Sequence, residues 1–156
     1  MQQSTSESAA AFMKRLHEAV QQHDLDALTA CFAADYRNMT PAHPARGFVG
    51  QAQVRLNWEQ IFGAVPDLTA DVTWIGDEVV WSEWEMRGTR RDGGAHLMRG
   101  VVIFGLNGTQ AAWARFYLEP VEVGGGDVNE GVRRNLSGGD RPSASETAAS
   151  GSEVTR

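Results

Sequence analysis

The sequence predicts an α+β domain in which helices lie on one face of a curved antiparallel sheet. Two features carry this. Up to Pro66 the apolar residues recur mostly at helical steps, and beyond it they alternate as strands do. The alternating part is cut by turn signals, GDE, RDGG and Asn107-Gly108, into four consecutive strands.

The first helix is drawn by Phe12, Met13, Leu16 and Val20, which form one apolar stripe, with Ser8 placed to cap its start. In HDLDALTACFAAD, Asp24 is placed to cap a second, short helix with Leu25, Leu28 and Phe32 facing inward. YRNM reads as a short strand, and TPAHPARGFVG as a loop broken by two prolines. A third helix is expected from about Gln51 to Phe62, with Val54, Trp58, Ile61 and Phe62 on its apolar side. LTADVTWI is then a strand, and a long strand follows from Val79 to about Arg90. His96 to Leu106 and Gln110 to Val121 complete the sheet.

A length of 156 residues with 42% hydrophobic content suits one domain with a modest core. That domain is expected over residues 9–123, after a flexible N-terminus at 1–8. Residues 124–156 are rich in Gly, Ser and Thr and hold no aromatic residue, which predicts a disordered tail, the GGG at its start being a linker. The formal net charge is −6 and no Lys/Arg-rich block occurs, so nucleic acid is not an expected partner. Cys31 is the single cysteine, which excludes an intrachain disulfide and a cysteine-based zinc site. His17 and His23, six residues apart, share no helix face, and no two histidines have ligand spacing, so no metal is expected. With no phosphate-binding glycine motif either, no cofactor is expected. A polar N-terminus and the lack of a membrane-length apolar run point to a cytoplasmic protein without membrane contact.

Four stretches carry a resemblance to a known family: HDLDALTACFAADYRN, GFVGQAQVRLNWEQIFGAVPDL, GDEVVWSEWEMRGTRRDGG and WARFYLEPVE. In this order and at these separations the chain resembles the SnoaL-like group of the nuclear-transport-factor-2-like superfamily, which includes ketosteroid isomerases. The likeness covers about Ala10 to Val123. It implies a cone-shaped sheet, a cystatin-like roll wrapped around three helices, with a pocket between sheet and helices lined by alternate strand residues. It also implies a homodimer formed through the outer sheet face. The fold hosts isomerases, cyclases, hydrolases, dehydratases and non-catalytic binders, so it does not specify an activity.

The chemistries known on this fold do not transfer intact. Ketosteroid isomerases use an Asp base with a Tyr/Asp oxyanion pair. The resemblance puts those positions at Thr40, Leu16 and Met98, none of which can serve. Limonene-epoxide hydrolases use an Asp-Arg-Asp cluster, and Phe116 falls where the last Asp would be. The acid/base Asp of the polyketide cyclases is not assigned a counterpart here.

WSEWEMRG, Trp81 to Gly88, raises the question whether Glu83 and Glu85 are a catalytic pair. Side chains alternate along a strand, so Trp84 and Met86 share one face while Glu83 and Glu85 share the other. Pairing through RDGG puts Glu85 near Val101 and Arg87 near Arg99, and pairing through Asn107-Gly108 puts Gly100 near Arg115. One face then holds Trp84, Met86, Met98, Gly100, Val102, Trp113, Arg115 and Tyr117. The opposite face holds Glu83, Glu85, Arg87, Arg99, Val101, Ile103 and Phe116. The first set is the expected pocket wall, and the second a solvated or dimeric face. A bulge at Gly88 or Gly100 would reverse the assignment.

The expected catalytic candidates are therefore Arg115, Tyr117 and His43. Arg115 is a cation needing a carboxylate such as Glu119 or Asp35, or else a ligand anion. Tyr117 is a donor to a carbonyl, or simply a satisfied core tyrosine. His43 lies in the loop at the pocket rim, as a base near neutral pH or merely exposed. Arg46, in the same loop, is a weaker candidate. The expected ligand-binding residues are Asn38, Thr40, Trp58, Trp84, Met86, Met98, Val102 and Trp113. Together they suggest a pocket for a hydrophobic or aromatic metabolite, with cofactor-independent chemistry as a cyclase, isomerase or hydratase. A non-catalytic ligand-binding or dimerisation module is the alternative, favoured if the pocket floor is purely apolar.

Overall fold

The computed structural model describes residues 5–137. They fall into two compact units that part between Val121 and Glu122. The first unit runs α1 (Thr5–Gln22), α2 (Leu25–Ala30), β1 (Phe32–Met39), a 3-10 turn (Pro44–Arg46), β2 (Phe48–Val49), α3 (Gln51–Ala64), β3 (Thr69–Gly76), β4 (Val79–Thr89), β5 (Ala95–Asn107) and β6 (Gln110–Pro120). The second unit contains α4 (Val128–Leu136), capped by the Asp127 carboxylate, which accepts from the Glu130 amide at 3.0 Å. Part of the segment expected to be disordered is thus helical, and residues 138–156 of it lie outside the described residues. Of the N-terminal stretch expected to be flexible, residues 5–8 are helical, so Ser8 sits inside α1 rather than at its cap.

Three N-terminal helices and a curved, unclosed sheet give the predicted α+β class. The strand order is β2-β1-β6-β5-β4-β3. The sheet is antiparallel except where β1 runs parallel to β6, and the end of the loop expected at TPAHPARGFVG supplies the short edge strand β2. Phe32 to Asp35, expected to end α2, belong instead to β1. α2 stops at Cys31, whose carbonyl accepts from the Ala111 amide of the β6 neighbourhood at 2.9 Å, so tertiary pairing overrides local helix preference.

The apolar stripe of α1 buries Ala9, Phe12, Met13, Leu16, Ala19 and Val20 against the sheet, with Phe12 edge-on to Phe104 of β5 at 5.1 Å. The helix is also tied to the edge strand β3. His17 Nε2 lies 2.7 Å from the Ala70 carbonyl and Gln21 accepts from the Ala70 amide at 2.7 Å, while just past the helix His23 Nε2 lies 2.8 Å from the carbonyl of Leu68, the residue before the strand. Backbone groups that an edge strand leaves unpaired are thereby satisfied. No helix among the described residues is long and apolar enough to cross a membrane.

The register of the long strands decides which side chains meet. β4 and β5 pair Glu85 with Arg99 and Arg87 with Leu97, two residues from the expected register, which keeps every side chain on its expected face. β6 differs. Its hairpin starts with Asn107 opposite Gln110, but the register shifts between Gly105 and Leu106, so Gly105 faces Trp113 while Leu106 faces Ala111. Ala112 is the extra residue of a bulge, and one extra residue exchanges the two faces of the strand beyond it. Gly105 leaves room for this, because a Cβ there would overlap the Trp113 indole.

Candidate functional site

A cavity of about 300 Å³ lies between α3 and the concave side of the sheet. α3 presents Val54, Asn57, Trp58 and Ile61 to it, spaced three and four residues apart and so on one helix face. β1 contributes Phe32, Tyr36 and Asn38, followed by Thr40, while Met86 comes from β4, His96 and Met98 from β5, and Phe116 and Leu118 from β6. Phe48 and Arg46 complete the lining. A smaller void continues the site inward among Leu16, Val20, Trp84, Val102 and Phe104 and shares Phe32, Trp58, Met86 and Phe116 with it.

Polarity is graded through this space. The floor is wholly apolar, and the polar side chains gather along β1 and opposite it. Tyr36, 1% exposed, donates its hydroxyl to Asn38 Oδ1 at 2.8 Å. Asn38, itself 9% exposed, points its amide toward Thr40 Oγ1 at 3.5 Å. Burial pushes the Tyr36 phenol well above its ordinary range and keeps it protonated. On α3, Asn57 Oδ1 accepts from Gln53 Nε2 at 2.8 Å. No Asp or Glu is among the lining residues.

Of the residues expected to bind ligand, Asn38, Thr40, Trp58, Met86 and Met98 line the cavity, and Trp84 and Val102 line the inner void. Trp113 does not: it lies on the outer face, under the Arg115 guanidinium, which stacks 5.0 Å above the ring centre. Arg115 and Tyr117 are exposed on that same outer side, because the Ala112 bulge turned them outward and brought Phe116 and Leu118 in. His43 pairs with Glu119 at 2.8 Å and is absent from the cavity wall. The three expected catalytic residues are therefore not brought together in the pocket. Tyr36, Asn57, His96, Phe116 and Leu118 were missed. The alternation of Ala114, Phe116 and Leu118 against Arg115, Tyr117 and Glu119 was the available signal, since a row containing both charge signs suits solvent.

Glu83 and Glu85 point away from the cavity. Glu85 takes Arg99 at 2.8 Å and Arg87 at 2.7 Å, and Arg87 also reaches Asp71 at 2.8 Å. Donation from Arg99 first, then from Arg87, holds the Glu85 carboxyl below its usual range. Glu85 thus belongs to an outer-face ion network, Glu83 shares its side of β4, and neither lines the cavity. Among the described residues no group of three His, Cys, Asp or Glu side chains could hold a metal ion.

The chain belongs to the SnoaL-like domain family, whose pattern its residues 13–116 match. No curated protein sequence matches it. Solved structures agree on the fold. One is a candidate polyketide cyclase from Xanthomonas campestris, 16% identical over 72% of this chain and 93% of that one, with a TM-score of 0.63. A candidate isomerase from Bacillus subtilis is 13% identical over 75% and 90% of the two chains, with a TM-score of 0.66. A Mycobacterium tuberculosis protein in complex with estradiol-17beta-hemisuccinate is 19% identical over 74% and 94%, with a TM-score of 0.61. At these identities the likeness speaks for the fold, which is the NTF2-like, ketosteroid isomerase-like one.

Proposed function

We propose that this SnoaL-like protein binds a hydrophobic or aromatic, partly polar metabolite in the cavity between α3 and the sheet. The observation that carries this is the cavity itself: about 300 Å³, apolar at the floor, with polar side chains confined to one end. Such a site buries a ring system and orients it by a few polar contacts. The steroid ester bound by the M. tuberculosis neighbour is a ligand of that type and supports the reading. The lining has no carboxylate, and its buried phenol is held protonated, so carboxylate-based cyclase or isomerase chemistry has no base here. Binding is accordingly the primary function proposed. His96, the one imidazole in the wall, supports a second reading, cofactor-independent proton transfer on a bound carbonyl compound.

Titration with a panel of one- and two-ring aromatic compounds, followed by the emission of Trp58 and Trp84 and by calorimetry, tests the first reading. Saturable binding is expected, weakened about tenfold or more by Trp58→Ala. A panel without a binder would remove it. For the second reading, solvent deuterium exchange into a bound aryl ketone should depend on His96 and vanish in His96→Ala.

The outer sheet face supports a homodimer as part of the same proposal. It exposes Trp81 (54%) and Ile75 (74%), which stand side by side across β3 and β4. Large apolar residues adjacent on one surface suit a self-complementary contact. A cytoplasmic location is proposed on the sequence grounds given above.

A further inference from the structure

We infer that the metabolite carries an anionic oxygen group, such as a carboxylate, seated against Arg46 at the polar end of the cavity, with its apolar body directed toward Trp58 and Met86. This rests on the cavity being the binding site and specifies the chemistry of what enters it.

The inference comes from an inventory of hydrogen-bonding capacity. One lone pair is taken on each of three side-chain oxygens at the polar end: Asn38 Oδ1 by the Tyr36 hydroxyl, Asn57 Oδ1 by Gln53, and Thr40 Oγ1 by the Asn38 amide. The Thr40 hydroxyl proton and the Asn57 amide remain as donors, beside the second lone pairs of those oxygens and the His96 ring. Arg46 adds five N–H donors and a fixed positive charge, and among the described residues its side chain has no hydrogen-bond, ion-pair or ring partner. No acid lines the cavity, and no carboxylate among the described residues pairs with Arg46. Arg46 is the one fixed charge in the lining, and a planar guanidinium pairs best with a carboxylate. The cavity volume sets the remainder of the molecule at about one or two rings.

The test compares 2-naphthoate with its methyl ester, which has the same rings and no charge. Calorimetry on the full chain should show the acid binding about tenfold more tightly, with the difference shrinking as salt rises. Arg46→Gln should collapse the acid-to-ester ratio to about one, and Arg46→Lys should restore part of it. Because Arg46 is exposed, neither variant threatens folding. Equal binding of acid and ester by the wild type, or an acid preference that survives Arg46→Gln, would overturn the inference while leaving the cavity as the binding site. Failure of both probes, and of the wider panel, would overturn both.

Discussion

The Trp84 indole donates to the Ser82 hydroxyl at 2.8 Å, two residues back on the same face of β4, and that hydroxyl donates to the Val102 carbonyl at 2.6 Å on the neighbouring strand. The indole N–H of a side chain that lines an apolar void is thus satisfied from within the sheet, away from the void surface. Ser82→Ala strands the buried indole N–H. The expected cost is about 1–3 kcal/mol, read as a lower urea midpoint with an unchanged slope.

The Tyr36–Asn38 pair has the same geometry on β1. Asn38→Leu removes the acceptor from a phenol that is almost wholly buried, and a loss of about 1–3 kcal/mol is expected. Adding Tyr36→Phe should recover part of that loss, because an apolar pair leaves nothing unpaired. Urea denaturation of the four proteins of the cycle measures the coupling. If the double variant is no more stable than Asn38→Leu, the pairing is not what stabilises this strand.

Glu85 gives the stability a pH dependence of known sign. Its carboxyl titrates lower in the folded protein than in the unfolded chain, so between the two values the unfolded state binds more protons. The ion network therefore stabilises fully above the ordinary carboxylate value, and this is lost as pH falls through the folded one. Glu85→Gln should lower the melting temperature slightly at pH 7. The gap from wild type should close as pH drops below about 4. Since the network is at the surface, added salt should shrink the effect.

Trp81→Glu addresses the outer face. Trp81 is largely exposed, so the folded protomer should keep its circular dichroism and melting temperature within narrow limits. Sedimentation should show a dimer for the wild type and a monomer for the variant. A wild type that sediments as a monomer at all concentrations would remove the dimer proposal.

Sequence patterns revealed the layering of the fold because its long elements obey one period each. α1 and β4 bury the residues their spacing predicts, α3 turns Val54, Trp58 and Ile61 to the cavity, and Asp24 caps α2 by accepting from Ala27 at 3.0 Å. The WSEWEMRG strand is regular throughout, so its faces followed from alternation alone. β6 was misread because a bulge is a backbone event: Ala112 and Trp113 look like ordinary strand residues, and only packing of the indole over Gly105 explains the extra one. The polar end of the site was partly hidden for another reason. Asn57 and His96 come from elements distant in sequence, α3 and β5, and line one cavity because the curved sheet faces the helix. At Gly100 that curvature takes φ to 152°, where a Cβ would strike the Tyr117 carbonyl.

The supernumerary alanine of the last strand has a meaning for ancestry as well as for shape. Losing that one codon would carry Arg115 and Tyr117 into the interior and expel Phe116 and Leu118, replacing a greasy wall by a cation and a phenol. A lineage built on this scaffold can therefore trade one class of guest for another by an insertion or deletion of a single residue, without substituting any side chain.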